Sequence, residues 1–321
     1  TSLLARYVLW VARLIGGIPF AALYTDDVMN VIWIVLAYAL LIIAAVSKLP
    51  RWAKISLPGG LAVLSLALLL CVNAQSMRVG AGVITVLDVG QGQCISVISG
   101  DKTVLIDCGG IYSLDNAGET AGSYLLSRGR KRVDVLLLTH LHADHANGLA
   151  LLLARVGVDA LYLPDIAEED GEKSEVLALA ERYGVEVRYV TEETQTAVGE
   201  VSLTLYPPVG ERGANELGLT ILCSAGEFDT LITGDMDSRT ERVLMSSYPL
   251  PDIEVLLVGH HGSRYSTSEE LLETVTPEVG VVSVGSNSYG HPTRDALLRL
   301  TDAGVTVYRT DLQGNIYITV N

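Results

Sequence analysis

The sequence predicts a layered α/β fold over residues 79–321, preceded by a membrane segment over residues 1–78. Three observations predict it. Two nearly uninterrupted apolar runs lie near the N-terminus, and beyond them short runs rich in Val, Ile and Leu alternate with stretches of helical period. That alternation then repeats itself once, with an acidic residue and afterwards a histidine at corresponding strand ends.

Apolar residues make up 49% of the 321, and the excess is N-terminal. Residues 1–24 carry Arg6 and Arg13 seven apart, on one face of a helix otherwise built from Leu, Val, Trp and Tyr. Such a pattern suits an interfacial or bundle-packed helix with snorkelling arginines, and equally an ordinary buried helix. Residues 28–46, with Asn30 the one strongly polar side chain, and residues 57–74, free of charge, approach the ~20 apolar residues that cross a bilayer. Both are expected to be transmembrane helices, and a cleaved signal peptide does not account for two of them. The chain opens on Thr1 in mid-pattern, so it is expected to be a piece of something longer.

Lys48, Arg51 and Lys54 lie between the two runs, and Asp26 and Asp27 precede the first. Positive-inside bias puts residues 47–56 in the cytoplasm and residues 79–321 outside it, on a multi-pass protein of the cytoplasmic membrane. The part beyond residue 78 holds 16 basic against 35 acidic residues, a net of −19. A surface that coats nucleic acid through many phosphate contacts is basic, so the charge excludes that class. Any nucleic-acid substrate is gripped locally.

Gly80 to Gly82 reads as a linker. Val83–Val89, Cys94–Ser99 and Thr103–Cys108 read as strands joined by glycine-containing turns, and Gly118–Ser127 as a helix. A strand over Val133–Leu138 leads into a histidine-rich loop and a helix over Ala146–Val156. A short strand at Ala160–Leu163, a helix at Glu172–Tyr183 and strands at Val185–Tyr189 and Val201–Tyr206 follow, then a loop over 207–217. Further strands fall near Leu219–Ala225, Thr230–Thr233, Ile253–Val258, Val281–Val284 and Thr306–Arg309.

The internal repeat pairs Thr103-Val-Leu-Ile-Asp-Cys-Gly-Gly with Thr230-Leu-Ile-Thr-Gly-Asp-Met, and Val133-Asp-Val-Leu-Leu-Leu-Thr-His with Ile253-Glu-Val-Leu-Leu-Val-Gly-His. It sets Asp107, the loop beginning at His140, Asp235 and His260 at corresponding strand ends, although shared apolar strand composition alone produces similarity of this kind. A hairpin turning at Gly100-Asp101 sets opposite each other positions that sum to about 202, which Cys94 and Cys108 meet. Two small buried thiols are favoured there over the disulfide that an outward-facing domain permits.

Thr139-His-Leu-His-Ala-Asp-His is the centre of the pattern. His140 and His142, two apart at a strand end, point to one side, while Asp144 and His145 can face a second point. Imidazoles with a carboxylate suit divalent transition metals, and two groups of ligands suit two of them.

His-x-His-x-Asp-His at 140–145, with Leu-Ile-Asp-Cys-Gly at 105–109, resembles the metallo-β-lactamase superfamily. Leu-Asp-Val-Gly-Gln-Gly at 87–92, Thr-Gly-Asp at 233–235, Gly-His-His-Gly-Ser at 259–263 and Tyr-Gly-His-Pro at 289–292 narrow it. Together they resemble the C-terminal domain of ComEC-type competence proteins, the polytopic channels of DNA uptake. The resemblance implies a four-layer αββα sandwich and two divalent metal ions, Zn or Mn. His140 and His142 would hold one, Asp144 and His145 the other, Asp235 would bridge, and His260 would complete the second. His261, Asp107 and Asp88 would support the ligands.

A metal-dependent hydrolase follows, a phosphodiesterase or nuclease acting on incoming DNA, with Asp144, Asp235 and His291 as its catalytic groups. Ser263, Asn287, Tyr289 and His291 are candidates to bind a phosphoryl group, and His291 could protonate the leaving oxygen. Ser263 also reads as a helix cap, and Asn287 and Tyr289 as turn residues. The implied partners are DNA, the lipid bilayer and other competence-machinery proteins. Three departures stand out: no histidine lies between His145 and His260, Gln93 replaces an aspartate, and Asn215-Glu216-Leu217-Gly218-Leu219 replaces Asn-Asn-x-Ser-Leu. They keep open a DNA-binding and gating module with little catalysis, beside a surface hydrolase of other phosphoesters.

Overall fold

The computed structural model describes residues 3–16, 28–48, 50–76, 82–111, 116–167, 171–211 and 213–320. The chain divides into two compact units, residues 1–77 with 123–129 and residues 78–122 with 130–321.

The first unit holds α1 (Leu3–Gly16), α2 (Val28–Val46) and α3 (Arg51–Ser76). Trp33 Nε1 donates to Ser65 Oγ at 2.8 Å and Lys54 Nζ to the Ala45 carbonyl at 2.9 Å, tying α2 to α3. Val35, Tyr38, Ile42, Ile43, Val63 and Leu64 are exposed, while Ala44 and Ala53 are buried. Among the described residues no helix is long and apolar enough to cross a membrane. Residues 1, 2 and 17–24 of the helix expected over 1–24, residues 80 and 81 of the expected linker, and the side chains of 28–31 and 69–74 in the two expected spans, lie outside the described residues.

The second unit is built from β1 (Gly82–Val86), β2 (Ile95–Ser99), β3 (Lys102–Ile106), α4 (Ala117–Ser127), which straddles the division, β4 (Arg132–Leu137), α5 (Ala143–Ala146), α6 (Leu149–Leu153), β5 (Gly157–Pro164), α7 (Glu172–Tyr183) and β6 (Glu186–Val190). Its second half runs β7 (Thr194–Val198), β8 (Val201–Tyr206), β9 (Thr220–Ala225), β10 (Phe228–Ile232), α8 (Ser238–Ser247), β11 (Val255–Leu257), a one-turn 3-10 segment (Gly259–Gly262), α9 (Glu269–Val275), β12 (Val279–Val282), α10 (Arg294–Asp302), β13 (Thr306–Arg309), α11 (Thr310–Gln313) and β14 (Ile316–Val320).

Two seven-stranded sheets result, in the orders β14-β1-β2-β3-β4-β5-β6 and β13-β12-β11-β10-β9-β8-β7. The first four strands of one sheet pair antiparallel and the rest parallel, and the second sheet does the same from β7 to β13. β3 beside β4 therefore corresponds to β10 beside β11, which is the sequence repeat seen as topology.

Side chains alternate across each strand, so one face of each sheet meets the other sheet. Ile84, Val97, Val104 and Ile106 pack with Leu203, Leu205, Ile221 and Ile232 in that shared core. On its other face the second sheet buries Leu231, Leu256 and Val258 with Leu244 of α8, Leu271 and Leu272 of α9 and Leu300 of α10. Removing one such leucine costs about 2–5 kcal/mol, so the fold rests on apolar burial.

Several expectations change. The helix expected over Ala146–Val156 is shorter, α6 over Leu149–Leu153 after the separate turn α5, and Gly148 between them passes so close to the chain beyond β3 that a Cβ there would sit 2.6 Å from the Cys108 carbonyl. β7, polar and at a sheet edge, and β14 were not anticipated, nor were α9 and α10, although Ser268 and Thr293 cap them; α8, capped by Asp237, is the helix that the repeat places between Asp235 and His260. Ile95 stands opposite Ile106, one position short of the register that would set Cys94 against Cys108. Both are buried free thiols, and a hydrogen bond with Cys108, together with burial, pushes the Cys94 thiol well up.

Candidate metal centre

Asp107 follows β3 in the left-handed region, φ 58°, and is fully buried. Its Oδ1 accepts from the Thr139 amide at 2.7 Å; its Oδ2 accepts from Gln93 Nε2 at 2.7 Å, Thr139 Oγ1 at 2.8 Å and His145 Nδ1 at 2.7 Å. The Thr139 hydroxyl has given its hydrogen to Asp107, so it can only accept from His140 Nδ1, 3.1 Å away. In the other half of the fold His261 Nδ1 donates to the Ser283 carbonyl at 2.8 Å. Three imidazoles thus carry hydrogen on Nδ1 and turn Nε2 inward.

Those three Nε2 atoms converge on Asp235, which follows β10 and is buried. His145 Nε2 lies 3.2 Å from its Oδ1, and His261 and His140 lie 3.8 and 4.0 Å from its Oδ2. His261 Nε2 is also 3.5 Å from Asp144 Oδ2. All three Nε2 atoms are buried without a hydrogen-bond partner, a cost of about 1–3 kcal/mol each unless something else ligates them. The donor atoms fall into two groups that could hold metal: Asp144, His145, Asp235 and His261, and His140, His142 and Asp144. Nitrogen and carboxylate donors in fours and threes fit divalent transition metals.

The adjacent histidines both approach Asp235, at 3.6 Å from His260 Nε2 and 3.8 Å from His261 Nε2, and differ in burial. His261, expected in support, is the buried member of the cluster, whereas His260, expected as ligand, is part exposed with Nε2 3.6 Å from Asp235 Oδ2. The cause is backbone geometry: both residues take left-handed φ values, 50° and 54°, which turn consecutive side chains in different directions, and the Ser283 carbonyl anchors His261.

The electrostatics are those of a cation site. Burial works against charge on His145, yet Asp235 and Asp107 hold it well above its ordinary value; burial opposes charge on His261 too, and Asp235, then Asp144, raise it. Burial pushes His140 well down, with His145 adding to it. Burial opposes ionisation of Asp144 and Asp235, but the neighbouring histidines outweigh it, holding Asp144 at about 2 and Asp235 well below the usual range.

A cavity of about 310 Å³ opens onto the cluster, lined among others by His142, Asp144, Asp235, His260, His261, Tyr289 and His291. Burial, with His260 and His261 alongside, lowers His291 to about 4. Tyr289, at the mouth, is 58% exposed, with its ring 5.9 Å from that of His291. Other expected residues sit elsewhere. Asn287 closes the turn ahead of His291, donating to the Gly285 and His291 carbonyls and accepting from the Tyr289 and His291 amides. Ser263 is buried and its hydroxyl accepts from the Tyr265 amide. Asp88 is exposed and holds the Gly90 amide at 3.2 Å, so it does not support the ligands. Gln93 takes that part. Thr139 and Ser283 were missed as orienting residues, and Gln91 and Asn215 as lining ones; Thr139, heading the histidine motif, is the one with a local signal.

The family model described as the metallo-beta-lactamase superfamily matches residues 87–286. ComE operon protein 3 of Bacillus subtilis is 27% identical over 96% of this chain and 42% of its own length. Competence protein ComA of Neisseria gonorrhoeae is 28% identical over 80% of this chain and 36% of its own. The chain thus spans less than half the length of these curated relatives, which are competence proteins of ComEC type. Among solved structures, the metallo-beta-lactamase fold protein YhfI of Bacillus subtilis aligns with a TM-score of 0.52 at 12% identity, over 74% of this chain and 99% of that one, a likeness of fold.

Proposed function

The chain belongs to the metallo-beta-lactamase superfamily, and on that premise we propose that residues 79–321 form a binuclear metal-dependent phosphodiesterase acting on DNA at the outer face of a DNA-uptake membrane protein. One observation carries the reading: three buried, unpartnered Nε2 atoms converge on the Asp235 carboxylate.

His140, His142 and Asp144 would hold one ion, and Asp144, His145, Asp235 and His261 the other. Divalent ions there would lower the pKa of water toward neutrality and offset the charge that develops on an attacked phosphorus. Asp144 belongs to both donor groups, and Asp235, within 4.0 Å of both His140 and His145, would be a second carboxylate shared between the ions. Asp107, Thr139 and the Ser283 carbonyl fix the tautomers of the three imidazoles. No lysine or arginine lines the cavity among the described residues, so a phosphodiester would be met by the ions and by neutral donors. His291 is neutral at pH 7 in the free protein; a phosphodiester anion beside it raises its proton affinity and makes it the candidate donor to the leaving oxygen. Tyr289 offers an exposed ring on which a base can stack.

The membrane part of the reading rests on the apolar side chains that α2 and α3 leave exposed, on Lys48 between them with Arg51 and Lys54 in the first turn of α3, and on the competence relative matching 96% of the chain. The experiment is hydrolysis of single-stranded DNA and of bis-p-nitrophenyl phosphate by the whole chain in detergent, with zinc or manganese. Cleavage that chelation abolishes supports the reading. Bound metal with neither substrate cleaved favours a binding and gating module instead.

A further inference from the structure

We infer that Glu241 and Arg299 are positioning residues, a pair of opposite charges that clamps the chain at 264–268 and thereby holds His261 in the metal cluster. The inference rests on the metal reading above and adds to it which residues outside the cluster set the ligand geometry.

Glu241 lies on α8, fully buried, with no part in the cavity. Its two carboxylate oxygens accept from the backbone amides of Thr267 at 2.5 Å and Ser268 at 2.8 Å. Arg299, on α10, takes the opposite ends of the same peptides. Its Nε donates to the Thr267 carbonyl at 2.7 Å, and its Nη2 donates to the carbonyls of Ser266 at 2.9 Å and Arg264 at 3.2 Å. A buried carboxylate is a costly device for capping one short helix, a task the Ser268 hydroxyl already performs at the Leu271 amide.

What the clamp holds is strained. Thr267 has φ 56°, the left-handed region that a β-branched residue avoids. In that conformation its Oγ1 accepts from the Gly259 amide at 2.9 Å. Gly259 opens the turn carrying His260 and His261, both also left-handed, and a Cβ on it would lie 3.2 Å from Ser266 Cβ. The turn and the clamped segment therefore rest directly on each other. α8 begins three residues after Asp235, and its Ser238 amide donates to the Tyr265 carbonyl at 2.7 Å. Through these hydrogen bonds the strand end bearing Asp235 and the strand end bearing His261 are joined by the clamped segment.

The test compares Glu241→Gln, Thr267→Val and Thr267→Ser in the whole chain, with Glu270→Gln on the exposed face of α9 as control. Zinc affinity is measured by chelator competition and thermal unfolding is followed in chelator. Glu241→Gln turns an amide group toward a backbone amide, and Thr267→Val removes the acceptor for Gly259. Both are expected to lose about tenfold or more in zinc affinity at one of two sites, a loss in the range of ligand-orienting residues. Thr267→Ser and Glu270→Gln are expected to bind as the unsubstituted chain does. If Glu241→Gln and Thr267→Val lower the unfolding temperature but bind two zinc ions unchanged, the clamp is structural only and the inference is overturned. If the unsubstituted chain itself takes up no zinc, the proposed centre falls and this inference with it.

Discussion

His145 Nδ1 lies 2.7 Å from Asp107 Oδ2, two fully buried groups 38 residues apart in the chain. The contact joins the end of β3 to α5 and points His145 Nε2 at Asp235. Asp107→Asn exchanges an acceptor of four hydrogen bonds for an amide that must face one of those donors with its own N–H. The expected cost is about 3–5 kcal/mol of stability and about 10–100-fold in metal affinity. Chelator-treated unfolding and zinc titration measure the two effects separately.

His261→Ala removes a buried member of the metal cluster and is expected to reduce stoichiometry from two ions to one and to abolish turnover. His260→Ala is expected to keep both ions. His291→Ala is expected to keep both and to lose about 100-fold or more in kcat/KM. Metal analysis of the three purified variants, with phosphodiester hydrolysis alongside, checks all of this. Loss of an ion in His260→Ala with none in His261→Ala would restore the assignment the sequence first gave.

Those outcomes bear on what was legible. His140, His142, Asp144 and His145 lie within six residues at a strand end, so their convergence could be read locally. Asp235 could be read from the repeat, because parallel pairing of β10 with β11 copies that of β3 with β4. The choice between His260 and His261 could not, since it depends on left-handed backbone angles and on the Ser283 carbonyl 22 residues away. Asp88 misled because a motif carries turn residues as well as site residues, and its carboxylate serves the Gly90 turn. Gln93 read as a departure from an acidic position, and it turns out to donate to Asp107.

Metal uptake should release protons at neutral pH. His145 and His261 are held above their ordinary value of 6.5, so each holds a proton on Nε2 more tightly than a free imidazole does, and a cation must displace it. The sign for the metal-free chain is that these two histidines contribute stability fully below pH 6.5 and lose it as pH rises through their raised values. Affinity for zinc should therefore fall as pH is lowered through 7. Calorimetric titration in buffers of different ionisation enthalpy reads the proton count directly. Heats that do not depend on the buffer would sink this prediction.

Topology is tested with cysteines placed at Lys48 and at the exposed Asp101. An impermeant maleimide applied to intact cells is expected to label Asp101→Cys and to spare Lys48→Cys, each read against the unsubstituted chain. The reverse pattern would put residues 79–321 in the cytoplasm and remove the domain from incoming DNA.

The central claim is that this cluster hydrolyses a phosphodiester through ions shared at Asp235. Its most direct measurement is cleavage of labelled single-stranded DNA by the whole chain loaded with zinc or manganese, beside Asp235→Asn treated identically. The account predicts two ions and cleavage for the unsubstituted chain, and no cleavage with a retained fold for Asp235→Asn, because the apolar core between the sheets does not depend on the metal. Full activity and two ions in Asp235→Asn, or two ions without any cleavage in the unsubstituted chain, would contradict it.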